Sequence, residues 1–344
     1  MTSPKVHTEL NIGVVGAGSW GTALADLLAG KGYSIDHWVF EPEVKEQIAT
    51  LGENKQFLPG FQLSSNLTPS NDLARVVTGK DLVLMVVPSH VMRTVAGQMA
   101  QHLDEKTILV TASKGIENKT HLTMTGILRE MAPRIPQNQL AVLSGPSFAK
   151  EVAARAPTVV TVAGTDDRVA RQVQQVFATP YFRVYTHDDV IGVELGGAVK
   201  NVIAIASGII DGLGLALNTR AALITRGLTE IRRLGLKLGA QPRTFTGSAG
   251  IGDLILTCTG NLSRNYTVGK KIGEGMTLEQ ILGEMKMVAE GVKTARSVYN
   301  LSRKKNVEMP LSHAVYHVLY DGLAPRVALH QLMTRDLKQE LDEK

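Results

Sequence analysis

From Asn11 to about residue 190, short runs rich in Val, Ile and Leu alternate with longer amphipathic segments. Such short apolar-rich runs read as buried parallel strands, and the segments between them as crossover helices. The runs are Asn11–Val15, Ser34–Phe40, Leu82–Val87, Thr107–Ala112, Leu140–Leu143 and Thr158–Ala163. They predict a doubly wound α/β domain on a parallel sheet.

Beyond Val190 the strand-like runs vanish and helical periodicity takes over, interrupted by glycine-rich stretches at Asp211–Gly214, Gly247–Gly252 and Gly273–Gly275. The expectation is a sheet domain over 1–190 followed by an all-helical domain over 191–344. The 344-residue length agrees, because single cores stop growing at about 250 residues. No internal repeat is present.

The longest apolar stretch, Val190 to Leu217, contains Glu194, Lys200 and Asp211. Three ionisable groups argue for the buried helix of a soluble core over a membrane span. The first residues, MTSPKVHTEL, carry no apolar export segment. The single cysteine, Cys258, rules out an intramolecular disulfide and a Cys-based metal cluster, so a cytoplasmic protein without a metal site is expected. Lys and Arg number 37 against 32 Asp and Glu, a net +5 with no block of like charge. That balance points to no nucleic-acid partner and leaves a small molecule as the expected one. The oligomeric state stays open, a homodimer being the assembly carried forward.

Gly16-Ala17-Gly18-Ser19-Trp20-Gly21 follows the first strand and opens a helical pattern. In that context the three glycines read as a dinucleotide fingerprint: Gly16 for the tight turn, Gly18 for close approach of the pyrophosphate, and Gly21 for helix–strand packing. The phosphates would sit on the helix N-terminus, making the domain Rossmann-type. The second strand ends in Val39-Phe40-Glu41, and Phe40 is counted with the cofactor site. Glu41 lies where an acid can bond the ribose 2′-hydroxyl of NAD. The residues therefore favour NAD slightly and leave NADP open; Glu41 reads equally as a solvated turn residue.

Polar groups follow three strands, at Pro88-Ser89-His90, Ser113-Lys114-Gly115 and Ser144-Gly145-Pro146-Ser147, and can converge on one crevice. Alone, Lys114 reads as a solvated turn lysine and His90 as a capping residue. Lys200 is different, for it lies inside an almost uninterrupted apolar helix. Burial penalises its charged form and lowers its pKa, which suits a general acid and base; the other reading is a lysine that snorkels to solvent from a buried helix. Glu194 and Asn201 share a face about one-third of a turn away and either orient Lys200 or tie the helix to a loop. Asp253 ends the glycine-rich turn Ser248–Gly252, where an isolated Asp is usually a helix cap. Ser263-Arg264-Asn265 at a helix start offers a hydroxyl, a guanidinium, an amide and free N–H groups for a phosphate dianion, or else is an ordinary capped helix.

Together, GAGSWGTALA, SKGIE, LSGPSFAKEV, the segment from Val193 to Glu230, GSAGIGDLILTCTGNLSRNYTVG and VAEGVKTA resemble the bacterial NAD(P)-dependent glycerol-3-phosphate dehydrogenases, in order over residues 11 to 300. The resemblance implies reversible hydride transfer between a nicotinamide cofactor and dihydroxyacetone phosphate, in the service of phospholipid synthesis. It implies cofactor contacts at Ser19, Trp20, Ala149, Arg264, Val288 and Glu290. Lys114 would lie near both ligands, with Gly145 and Ser147 near the substrate. Lys200 and Asp253 would be catalytic, and Ser263, Arg264 and Asn265 would close around the substrate phosphate. Two other readings remain: a hydroxy-acid dehydrogenase of the same architecture, in which Arg264 takes a carboxylate, and a dinucleotide sensor without catalysis.

Overall fold

Alternation of side chains across a buried sheet sets the first half of the chain. A computed structural model describes residues 10–285 and 289–340. Eight strands run β1 (Ile12–Val15), β2 (Ile35–Trp38), β3 (Leu67–Ser70), β4 (Leu82–Met85), β5 (Ile108–Thr111), β6 (Leu140–Ser144), β7 (Thr158–Gly164) and β8 (Phe182–His187). Their order in the sheet is β3-β2-β1-β4-β5-β6-β7-β8. Ile12, Val14, Leu82 and Leu84 face one layer of helices, and Val15, Val83 and Met85 face the other.

The first layer holds α1 (Ser19–Gly30), α2 (Pro42–Leu51) and, further along, the short α6 (Ala149–Ala153) and α7 (Asp167–Phe177). On the opposite face lie α3 (Leu73–Val77), α4 (Met92–Met99) and α5 (Met124–Met131). Strand order reverses between β1 and β4, which opens a crevice at their carboxyl ends.

Two features depart from the expectation. β7 runs antiparallel to β6, while β8 rejoins parallel to β7. The five residues of α6 rise only about 7.5 Å, too little to carry the chain back along β6, so it re-enters the sheet near the end it left. Strands β3 and β8 were not expected. Each is an edge strand with outward positions exposed, and β3 carries Pro69, so neither has a continuous apolar run.

The second half is helical: α8 (Val190–Gly212), α9 (Leu217–Lys237), α10 (Asp253–Thr259), α11 (Arg264–Gly273), α12 (Leu278–Glu284), α13 (Glu290–Lys305), α14 (Pro310–Tyr320) and α15 (Pro325–Met333). α8 is its axis. By length and composition α8 could cross a membrane, yet its apolar window is wholly buried within the protein, against α9, α10, α11 and α13. Small residues let the backbones meet: a Cβ on Gly208 would lie 2.0 Å from the Tyr266 carbonyl, and one on Gly269 2.0 Å from that of Ile205. Asp189 caps α8 by accepting from Gly192 N, and also accepts from Gln241 N at 2.8 Å and the Thr244 hydroxyl at 2.5 Å, which anchors the start of the axis.

Candidate active site

Because β1, β4, β5 and β6 are parallel, the turns that follow them open on one edge of the sheet. The first is the glycine turn. Gly16 has φ +114°, and a Cβ there would lie 2.5 Å from the Val86 carbonyl. Gly21 packs against the Gly16 carbonyl, where a Cβ would sit at 2.0 Å. Around Gly18 the protein leaves open space, so nothing in the chain itself demands a glycine there; a ligand lying on the backbone would. Ser19 opens α1 and Trp20 leans on the sheet core, with no acidic side chain in the first turn. The residues fit a dinucleotide pyrophosphate.

Three polar groups that the sequence pattern does not single out sit beneath this turn. His37 is fully buried on β2, its Nε2 3.0 Å from the Gly16 carbonyl, and burial lowers its pKa to about 4, so it is a neutral donor. Thr22 and Asn54 both donate to the Ala17 carbonyl. At the end of β2, Phe40 is exposed and lies edge-on to Trp38 at 6.0 Å. Glu41 precedes α2 without using its carboxylate as a cap.

The second cluster gathers around Asp253. The five residues Ser248–Gly252 form a π-helical turn that runs straight into α10, so Asp253 is not a simple cap. It is fully buried, and both its oxygens are taken by lysines. Lys200 Nζ, from the middle of α8, donates to Oδ1 and, at 2.7 Å, to the Thr257 hydroxyl. Lys114 Nζ, from the turn after β5, donates to Oδ2 at 2.7 Å and to the Gly145 carbonyl at 3.2 Å. Gly197 lets α8 come this close, since a Cβ there would meet the Ser144 hydroxyl at 2.6 Å. Burial pulls the Lys200 ammonium down to about 8; Asp253 opposes that shift and Lys114 adds to it. Thr257, unforeseen, sits one helical turn after Asp253 and so on the same face. The Ser147 hydroxyl donates to Gly145 O at 2.9 Å, and Ala149 begins α6.

A third group adjoins these two. Glu290, first residue of α13, accepts from Ser89 N at 3.0 Å and from the Ser89 hydroxyl, joining the helical domain to the turn after β4. Gly291 N donates to Asn265 Oδ1 at 2.9 Å, and a Cβ on Gly291 would lie 2.6 Å from the carbonyl of Asn201, the residue after Lys200. Ser263 caps α11 by accepting from Tyr266 N. Arg264, in the first turn of α11, is exposed and feels the negative charge of Glu290. Glu194 does not orient Lys200. It reaches away to α5, accepting from Thr125 N at 2.8 Å and Thr125 Oγ1 at 2.5 Å, which resolves its two readings in favour of a tie. His90 is exposed on the 3-10 turn after β4. Val288 lies outside the described residues. Among the described residues no cluster of side chains could hold a metal ion.

A glycine turn at the sheet's switch point and a Lys–Asp–Lys cluster thus share one sheet edge, and the chain's relatives say which family builds them. Residues 11–170 match the family described as NAD-dependent glycerol-3-phosphate dehydrogenase N-terminus, and residues 189–330 its C-terminus. The chain belongs to the NAD-dependent glycerol-3-phosphate dehydrogenase family. A curated relative from Syntrophobacter fumaroxidans, named glycerol-3-phosphate dehydrogenase [NAD(P)+], is 56% identical over 331 residues, which is 96% of this chain and 97% of that protein. The crystal structure of glycerol-3-phosphate dehydrogenase from Coxiella burnetii matches with TM-score 0.91 and 39% identity, over 95% of this chain and all of that one. A ketopantoate reductase family protein from Ralstonia eutropha matches with TM-score 0.59 at 16% identity, over 93% of this chain and 99% of that one, a likeness of fold alone.

Proposed function

We propose that the crevice interconverts dihydroxyacetone phosphate and sn-glycerol 3-phosphate, with Lys200 moving the proton. One observation carries the reading: a buried ammonium is held by Asp253 and Thr257 on the same sheet edge as the dinucleotide turn. The nicotinamide, when bound, supplies the hydride that adds to C2 of the ketone. Lys200 gives its proton to the C2 oxygen, and takes one back when the alcohol is oxidised. With its pKa near 8, both protonation states are accessible close to neutrality. Asp253 keeps Lys200 in place and offsets the two neighbouring positive charges. Lys114 adds a second cation beside the oxygen on which negative charge develops.

Arg264, with the amide of Asn265 and the start of α11, supplies the positive end that a phosphate dianion needs. Ser263 contributes by shaping that turn, and Gly145 and Ser147 line the wall that holds Lys114. Ser19, Trp20, Phe40, Ala149 and Glu290 border the cofactor. Glu41, whose carboxylate caps nothing, favours NAD over NADP by accepting from a ribose hydroxyl and repelling a 2′-phosphate. The product would feed phospholipid synthesis in the cytoplasm, in keeping with the lone buried thiol. A homodimer is supported by an apolar cavity of about 420 Å³ lined from α8, α9, α14, α15 and residues 335–340, with exposed Met333 on its wall, and sedimentation would test it.

The deciding experiment follows reduced-nicotinamide absorbance with dihydroxyacetone phosphate and NADH or NADPH. Oxidation that requires the phosphate, with NADH the faster cofactor, is the expected result. Turnover of a 2-keto acid in place of the triose phosphate would instead support the hydroxy-acid reading, and cofactor binding without turnover the sensor.

A further inference from the structure

Asn54 lies in the loop after α2, between the partly exposed Glu53 and the exposed Lys55, yet it is fully buried and its amide nitrogen donates at the glycine turn. Its Nδ2 donates to the Ala17 carbonyl and to the Thr22 hydroxyl, both at 2.8 Å, while its Oδ1 accepts from Phe57 N at 3.0 Å. Thr22, also fully buried, passes its own hydroxyl proton to the same Ala17 carbonyl at 3.1 Å. Two buried donors from different elements thus converge on one carbonyl in the middle of the glycine turn.

The peptide bond joining Ala17 to Gly18 is planar and trans, so its C=O and N–H point in opposite directions. Pinning the carbonyl inward turns the Gly18 N–H outward, at a residue that is exposed and where an added Cβ would meet nothing within 4 Å. Among the described residues that N–H has no partner. Left unpinned, the peptide could rotate and present its carbonyl oxygen, which repels phosphate, in place of the N–H, which binds it.

We propose that Asn54 and Thr22 are positioning residues for the dinucleotide phosphates, acting by holding the Ala17 carbonyl inward so that the Gly18 N–H faces the ligand. The proposal rests on the dinucleotide reading of this turn. It also assigns the isolated Asn of the sequence GENKQFLPG a purpose beyond stabilising its own loop.

The test compares Thr22→Val, nearly the same shape without the hydroxyl, with Thr22→Ser, which keeps it, and adds Asn54→Ala. NADH and ADP-ribose dissociation constants are read from the fluorescence of Trp20 and Trp38, alongside thermal melts and the KM and kcat of the reaction. Thr22→Val should weaken NADH and ADP-ribose binding about tenfold, the effect of losing one aimed hydrogen bond, and Thr22→Ser should restore it to within about threefold. The KM for NADH should rise in Thr22→Val far more than kcat at saturating NADH falls. Thr22→Val that melts lower but binds as the wild type does would overturn the proposal, as would Thr22→Ser binding as weakly as Thr22→Val. Should Asn54→Ala fail to fold, the Thr22 pair still decides. Wild-type protein that binds no NADH at all would overturn the dinucleotide reading as well.

Discussion

Lys114 and Asp253 meet at 2.7 Å, one from the turn after a sheet strand and the other from the first turn of a helix 139 residues later. The pair joins the sheet domain to the helical domain at the point where Lys200 also lands. Asp253 therefore does two things at once: it supports the ammonium charge of Lys200, and it keeps the crevice walls in register.

Replacing it tests both roles. Asp253→Asn keeps the shape and removes the charge that raises the Lys200 pKa, leaving two lysines facing each other. The Lys200 titration should move to lower pH, and kcat/KM should fall about 100-fold, the scale of a disabled acid–base group. A pH–rate profile of the Asp253→Asn variant that matches the wild type would show that Asp253 does not tune Lys200.

The pKa of Lys200 fixes the sign of the pH dependence. In the proposed mechanism ketone reduction needs the ammonium form, so its kcat/KM should be level below pH 8 and decline as pH rises through about 8. Alcohol oxidation needs the neutral amine and should rise over the same interval. Lys200→Ala should bind NADH normally, by fluorescence titration, while losing nearly all turnover. Residual turnover near the wild-type rate would remove Lys200 from the mechanism.

Glu230 carries a different pH dependence, one of stability. From α9 it accepts from Leu311 N at 2.6 Å, Ser312 N at 3.0 Å and the Ser312 hydroxyl at 2.8 Å, stapling the start of α14. Burial pushes its pKa up from 4.5 to about 7. Between those values the folded chain holds a proton that the unfolded chain does not, so this group stabilises the fold as pH falls from about 7 toward 4.5. Thermal melts at pH 8 and pH 6 should differ less in Glu230→Gln than in the wild type. An unchanged difference would place the titration elsewhere.

Much of this was legible in the residues, for identifiable reasons. The central strands announce themselves because burial on both faces makes them apolar throughout, and Lys200 stands out because a charge in such a helix is costly. The edge strands β3 and β8 did not stand out, since one exposed face erases that pattern. Thr257 could have been found from its spacing, four residues after Asp253 and hence on the same side of α10. Asn54, His37 and the Ser89–Glu290 contact could not. A polar residue in a loop, such as Asn54, reads as solvated, a polar residue in a strand, such as His37, names no partner, and the last pair is separated by 201 residues, so only the folded chain brings these groups together. Ser263 offered both a cap and a ligand; its oxygen is the cap, which leaves the hydroxyl proton free to serve a ligand.

The close contact between α8 and α11 sets the last prediction. Neither helix gains stability from glycine, which costs about 1 kcal/mol relative to alanine inside a helix. Gly269 is present because Val268 and Lys270 flank a spot where α11 rests on the backbone of Ile205, and a Cβ there would lie 2.0 Å from the carbonyl oxygen. Gly269→Ala must push the helices apart, which shifts Ser263, Arg264 and Asn265 at the far end of α11. A loss of about 3 kcal/mol, the upper range for overpacking, should appear in denaturant unfolding. Gly283, within α12, has nothing within 4 Å of the place an added methyl would take, so Gly283→Ala should instead gain about 0.5 to 1 kcal/mol. Equal effects at the two positions would mean that helix propensity, and not the approach of the two backbones, governs where this chain uses glycine.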